Sequence, residues 1–98
     1  MAQIMVVAKY PQHQVQAVVE TSLATRTEYP EYVQKVHDWA VQAHDQYKNY
    51  NVYECSDENL AEAIKFLTKR FSKIAMIQGY EFKIELLLDA DEAIKIFM

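Results

Sequence analysis

Residues 32–47 read YVQKVHDWAVQAHDQY, and the way this stretch folds decides the architecture of the chain. As a helix, Tyr32, Val36, Trp39, Ala40, Ala43 and Tyr47 fall on one stripe, and local periodicity favours that reading. As a strand from about Val36 to Ala43, His37, Trp39, Val41 and Ala43 point one way, and Asp38, Ala40, Gln42 and His44 the other. Two features favour the strand. His44-Asp45-Gln46, followed by Tyr47 to Cys55, reads as a turn and a second strand, because Tyr50, Val52 and Tyr53 are strand formers. A strand here also completes a four-stranded sheet, whereas a helix leaves three strands and an awkward topology. The turn carries no glycine, which counts the other way. The strand is the expectation carried forward.

Upstream, Ile4-Met5-Val6-Val7-Ala8 is a continuous apolar run ended by Tyr10-Pro11, a strand that must stop at the proline because it cannot donate to a ladder. Val15, Val18, Val19, Ser22 and Leu23 then recur at helical spacing, which predicts a helix from Gln12 to about Thr25, with Pro11 suited to its first turn. Arg26 to Glu31 is a polar break containing Pro30.

Downstream, Ser56 is expected to cap a helix that opens with Asp57 and Glu58, where the dipole favours negative charge. Its apolar stripe is Leu60, Ala63, Ile64, Leu67 and Phe71, ending near Ser72. A loop from Lys73 runs to the only glycine, Gly79, expected to supply a backbone angle other residues resist. Tyr80, Phe82, Ile84, Leu86 and Leu88 alternate with Glu81, Lys83 and Glu85, the firmest strand pattern in the chain. Asp89 and Glu92 form a capping box for a last short helix carrying Ala93, Ile94 and Phe97.

The order strand-helix-strand-strand-helix-strand is the split βαβ pattern. The expected fold is therefore α+β and ferredoxin-like: a single domain over residues 1–98, a four-stranded antiparallel sheet with both long helices on one face, and a short C-terminal helix. Alternation assigns Tyr80, Phe82, Ile84, Leu86, Tyr50 and Val52 to the helices. It sends Glu81, Lys83, Glu85, Asn49, Asn51, Tyr53, Asp38, Ala40 and Gln42 to a polar open face.

Composition sets the outer limits. An apolar fraction of 51% and a charged fraction of 24% over 98 residues suit one globular domain. Seven Tyr, four Phe and one Trp exceed what one small core needs, which points to an interface or a pocket. A net charge of −4 gives no basic footprint for nucleic acid. The densest basic group, Lys65, Lys69, Arg70 and Lys73, reads as a solvated helix face. The single cysteine, Cys55, excludes an intramolecular disulfide and suits a reducing compartment. No apolar run is long enough to span a membrane, and the N-terminus lacks a signal-peptide pattern, so a cytoplasmic location is expected.

The run from Tyr53-Glu54 through Leu60, Glu62-Ala63, Leu67, Arg70, Gly79-Tyr80-Glu81-Phe82, Ile84-Glu85 and Glu92-Ala93 resembles small uncharacterised proteins similar to members of the dimeric α+β-barrel superfamily. The likeness covers about half the chain and is a diffuse pattern without a catalytic motif. It implies two ferredoxin-like subunits packed sheet to sheet, and an internal cavity in each. It implies no reaction, because that superfamily includes cofactor-free monooxygenases, haem-degrading enzymes, isomerases and proteins without known activity.

Candidate ligand-binding residues follow from the expected open face: Asn51, Tyr53, Lys83 and Glu85, with Asp38 beside them. Such a set could orient a small polar ligand; equally, it could form cross-strand or cross-dimer pairs that fix register. His37 and Asp38 face opposite ways on a strand and cannot work together. His13, His37 and His44 match no metal-ligand spacing, so no metal is expected. One glycine allows no phosphate loop or dinucleotide fingerprint, and no cofactor is expected. Cys55, before a helix, reads as a small apolar filler. Three functions compete: a homodimer holding a small polar or aromatic ligand in a cavity between sheet and helices, a cofactor-free monooxygenase or isomerase, and a structural or regulatory protein-binding module. The enzyme reading needs a cavity of roughly 300 Å³ or more with two converging titratable groups.

Overall fold

The computed structural model describes residues 1–25 and 29–97. The elements are β1 (Ala2–Pro11), α1 (Val15–Thr25), β2 (Gln34–Ala43), β3 (Gln46–Cys55), α2 (Leu60–Ile74), β4 (Glu81–Leu87) and α3 (Ala90–Phe97). The four strands form one antiparallel sheet in the order β2-β3-β1-β4. The chain is thus an α+β fold in which α1 and α2 follow β1 and β3.

Residues 32–47 settle as strand. From His37 to Ala43, β2 pairs residue for residue with β3, and the turn His44-Asp45 connects them. His44 adopts φ 55°, the left-handed angle that the missing glycine would have supplied. The helical stripe loses because this segment has no second apolar layer to meet: every residue of β2 except Val36 is exposed. A bulge between Lys35 and His37 resets the alternation, so Lys35 and Asp38 share a face and their side chains pair at 3.0 Å.

The helices cover one face. Ile4, Val6, Ala8 and Tyr10 of β1 pack with Tyr53 and Cys55 of β3, Val18 of α1, and Ala63, Leu67, Phe71 and Ile74 of α2. Direct pairing carries that face across the sheet, since opposed residues in an antiparallel ladder share a side. Asp38, Asn51, Val6 and Ile84 make one row, and Ala40, Asn49, Ala8 and Phe82 the next.

These rows correct the sequence expectation on two strands. Asn49, Asn51 and Tyr53 of β3, and Asp38, Ala40 and Gln42 of β2, lie on the helix side, while Tyr50 and Val52 lie on the open side. A one-residue shift in phase reverses every side chain, and the sequence Tyr50-Asn51-Val52-Tyr53 offers apolar groups in both phases. The placement of β4 stands: Phe82, Ile84 and Leu86 on the helix side, and Glu81, Lys83 and Glu85 opposite.

Local signals at the helix starts are also modified. Short 3-10 turns, Gln12–Gln14 and Asp57–Asn59, precede α1 and α2. Ser56 makes no side-chain cap; its hydroxyl instead accepts a 2.8 Å hydrogen bond from Asn59 Nδ2. Of the expected polar break, Arg26, Thr27 and Glu28 lie outside the described residues, as do the side chains of Glu92, Ala93 and Phe97. Among the described residues no helix is long and apolar enough to cross a membrane.

Candidate functional site

Between the sheet and the helices lies a partly open pocket of about 180 Å³, in which Val18, Val19, Leu23, Phe71 and Ile74 stand beside polar side chains. The sheet contributes Tyr10, Asp38, Asn49 and Asn51, and the helices contribute Ser22 and Arg70, with Tyr80 closing one side. Asn49 Nδ2 donates to Tyr10 Oη at 3.4 Å, and the Tyr10 ring stacks between Tyr47 and Tyr80 at centroid distances of 5.9 and 5.7 Å.

Two members of this lining are incomplete. Asn51 and Arg70 are each only 7% exposed. Asn51 Oδ1 and Arg70 Nε have no hydrogen-bond partner among the described residues. The other guanidinium nitrogens are engaged: one donates to Thr25 Oγ1 and the other to the Ser22 carbonyl at 3.5 Å. The Tyr29 ring lies 4.9 Å from the guanidinium carbon, and Tyr29 Oη is 2.9 Å from Tyr53 Oη. A buried polar atom left unpaired costs about 1–3 kcal/mol, so two in residues that line one pocket are a feature to explain.

The five candidates therefore separate. Asp38 and Asn51 line the cavity, and Tyr53, fully buried, supports it through Tyr29. Lys83 and Glu85 sit on the opposite face, joined to each other at 3.0 Å. They do not form one acid-base constellation. Arg70, Asn49, Tyr10 and Tyr80 were not anticipated. Arg70 had a signal: with Ala63, Leu67 and Ile74 it continues the buried stripe of α2 at steps of four, three and four, so it could not belong to a solvated face.

The open face is more apolar than expected. Its rows run His37, Val52, Met5, Glu85; then Trp39, Tyr50, Val7, Lys83; then Val41, Lys48, Lys9, Glu81. Each begins apolar or aromatic at β2 and ends charged at β4. Trp39 is 53% exposed and stacks on His37 with centroids 4.4 Å apart. Over β1, β3 and β4 the surface dips into a hollow of about 530 Å³, floored by Met5, Val7 and Tyr50 and rimmed by Lys48, Lys83 and Glu85.

Burial raises the pKa of the Tyr53 and Tyr80 phenols well above 10, and raises that of Tyr10 despite the Asn49 hydrogen bond, which pulls it down. Burial likewise pushes the Cys55 thiol up from about 9, with Asp57 adding to the effect. For groups raised on folding, the stabilisation is complete below the unfolded pKa and is lost as pH climbs through the folded one. Thermal stability is therefore expected to hold to about pH 9 and then fall steeply beyond pH 10. In an alkaline titration, tyrosinate absorbance from these rings should appear together with loss of the near-ultraviolet dichroism. Ionisation ahead of unfolding would contradict the burial.

No family model matches the chain, and no curated protein matches it. Solved structures do share its fold. The de novo designed protein Foldit4 aligns over 91% of this chain and 99% of its own, with a TM-score of 0.59 and 9% identity. A formyltetrahydrofolate deformylase from Burkholderia mallei aligns over 88% of this chain with a TM-score of 0.55 and 16% identity. The Bacillus subtilis YXEP protein, a dinuclear metal binding peptidase of the M20 family, also aligns over 88%, with a TM-score of 0.54 and 11% identity. The chain spans 28% and 25% of the lengths of these two proteins. At such identities the likeness is one of fold.

Proposed function

We propose that this chain is a ferredoxin-like, ligand-binding subunit that pairs with a second copy through its open sheet face and holds a small molecule between sheet and helices. The observation that carries the ligand site is the pair of unpartnered atoms, Asn51 Oδ1 and Arg70 Nε, in residues lining one cavity. A fold selected for stability alone gains by filling such a space with apolar groups, and a binding site keeps the polar ones. The volume, about 180 Å³, is below the roughly 300 Å³ at which sites for drug-sized ligands begin, so the occupant is small.

Support for the second copy comes from the apolar band His37, Trp39, Val41, Tyr50, Val7 and Met5, whose aromatic members are of the kind that anchor interfaces. The charges at the other end of the rows alternate in sign, Glu81, Lys83, Glu85, so one face can oppose another copy of itself without a single-sign clash.

The site is tested by titrating a cocktail of anionic, cationic and neutral fragments into labelled protein. Amide shifts confined to Asn51, Asn49, Arg70 and Ser22 are the expected result. Shifts confined to the hollow above Met5 and Val7 would move the site to the open face, and the absence of any saturable shift would remove the ligand.

A further inference from the structure

We infer that the hollow on the open face binds a flat aromatic monocarboxylate, at a site separate from the pocket between sheet and helices. Two like charges carry the inference. In the β1–β3 ladder Lys9 stands directly opposite Lys48, on the open side of the sheet. Side chains opposed in this way have β-carbons about 4.5–5.5 Å apart, and two cations so placed are destabilising. The row continues to Val41 beyond Lys48 and to Glu81 beyond Lys9. Glu81 reaches Lys9 at 3.4 Å, and Lys83 and Glu85 pair with each other at 3.0 Å. Three lysines and two glutamates thus line the hollow, a local surplus of one positive charge on a chain of net charge −4. The surplus falls at Lys48, half-buried between a second lysine and a valine. One carboxylate placed between Lys48 and Lys9 replaces the repulsion with two charge-assisted contacts and matches the surplus, which a dianion exceeds.

The floor decides the rest of the ligand. From the lysine row, the next row on this side brings Tyr50 and Val7, and the one after it Val52 and Met5, each step of two residues covering about 7 Å. Met5, Val7 and Tyr50 are half-buried and line the hollow. With its carboxylate at Lys48, a planar ring system lies over Val7 beside the Tyr50 ring and extends towards Met5, whose thioether suits an aromatic neighbour. The two ion pairs, Lys9–Glu81 and Lys83–Glu85, edge the hollow on the β4 side and confine the rings to β1 and β3. At about 530 Å³ the hollow is in the size range of small-molecule sites.

The probe is 2-naphthoate, titrated into labelled protein beside its neutral counterpart 2-naphthamide and beside acetate, which has the charge without the rings. Saturable amide shifts at Val7, Lys9, Lys48 and Tyr50 are expected with 2-naphthoate. The amide should bind about fivefold to tenfold more weakly, and acetate should not saturate in the same range. Lys48→Gln should weaken 2-naphthoate by the same factor and leave 2-naphthamide unchanged, while Lys65→Gln, exposed on α2, should alter neither. Equal affinity for acid and amide, or Lys48→Gln without effect, would overturn the carboxylate. Acetate binding as tightly as 2-naphthoate would overturn the aromatic body. Shifts from the acid at Asn51 and Arg70 alone would overturn the site. Its residues all belong to one subunit, so Trp39→Glu, designed to separate paired copies, must bind 2-naphthoate too; loss of binding there would overturn a site built by a single sheet. This site and the pocket between sheet and helices fail separately, because their reporting amides lie on opposite faces of the sheet.

Discussion

Gly79→Ala is expected to lower stability by about 2–5 kcal/mol, which for a domain near 100 residues lowers the thermal midpoint by 10 °C or more. Gly79 adopts φ +88°, a left-handed conformation that resists a β-carbon. A β-carbon built there meets Pro11 Cγ at 2.6 Å and Cδ at 2.8 Å, and the proline ring cannot turn away because it is fused to the backbone. The usual gain from replacing glycine, about 0.4–1 kcal/mol through the unfolded chain, is too small to offset either cost. The contact matters to the site because it ties the entry of β4 to the end of β1. One residue on from it, Tyr80 stacks on Tyr10, and both rings line the cavity. Gln78→Ala is the control, since that side chain is exposed and only its backbone carbonyl is used, by Gln14. A change of less than about 0.5 kcal/mol in Gly79→Ala would mean that the loop yields and that Pro11 does not fix it.

How far the sequence carried is best seen strand by strand. β4 was legible because its apolar and charged residues alternate without exception, and its faces are as expected. β3 was legible as a strand but not in phase. Tyr50 and Tyr53 are both aromatic and face opposite ways, and only pairing with β1, which sets Asn51 against Val6, decides which side meets the helices. The consequence fell on the site. Asn51 and Tyr53 were grouped with Lys83 and Glu85, whereas the register groups Asn51 with Asp38 and, through the cavity, with Arg70. No local spacing encodes that meeting, because Arg70 arrives from a helix and Asn51 from a strand. The left-handed turn at His44 was illegible for a different reason: a residue other than glycine was made to take the angle by the ladder on either side.

If the chain pairs through its open face as proposed, Trp39→Glu is expected to convert that dimer to a monomer in the micromolar range, weakening association by about 30-fold to 1,000-fold. Trp39 lies on the outermost strand, so its truncation leaves the core untouched: the buried cluster draws on β1, β3 and the helices, with nothing from β2. Its large ring is more than half exposed, stacks on His37, and heads the row that runs through Tyr50 and Val7. A tryptophan buried at the centre of an interface commonly carries about 2–4 kcal/mol, and a glutamate in its place must also be desolvated. Folding and association are therefore separable in this variant. Its thermal midpoint extrapolated to low concentration should match that of the unaltered chain, while its mass by light scattering halves. Met76→Glu supplies the control, because Met76 is 86% exposed in the loop after α2, away from the sheet face, and its loss should leave the mass unchanged. A dimer that survives Trp39→Glu would place the subunit contact on another surface, and the apolar band would then need a different partner. An unaltered chain that is already monomeric would leave the cavity argument standing, since Asn51 and Arg70 line one pocket of a single subunit.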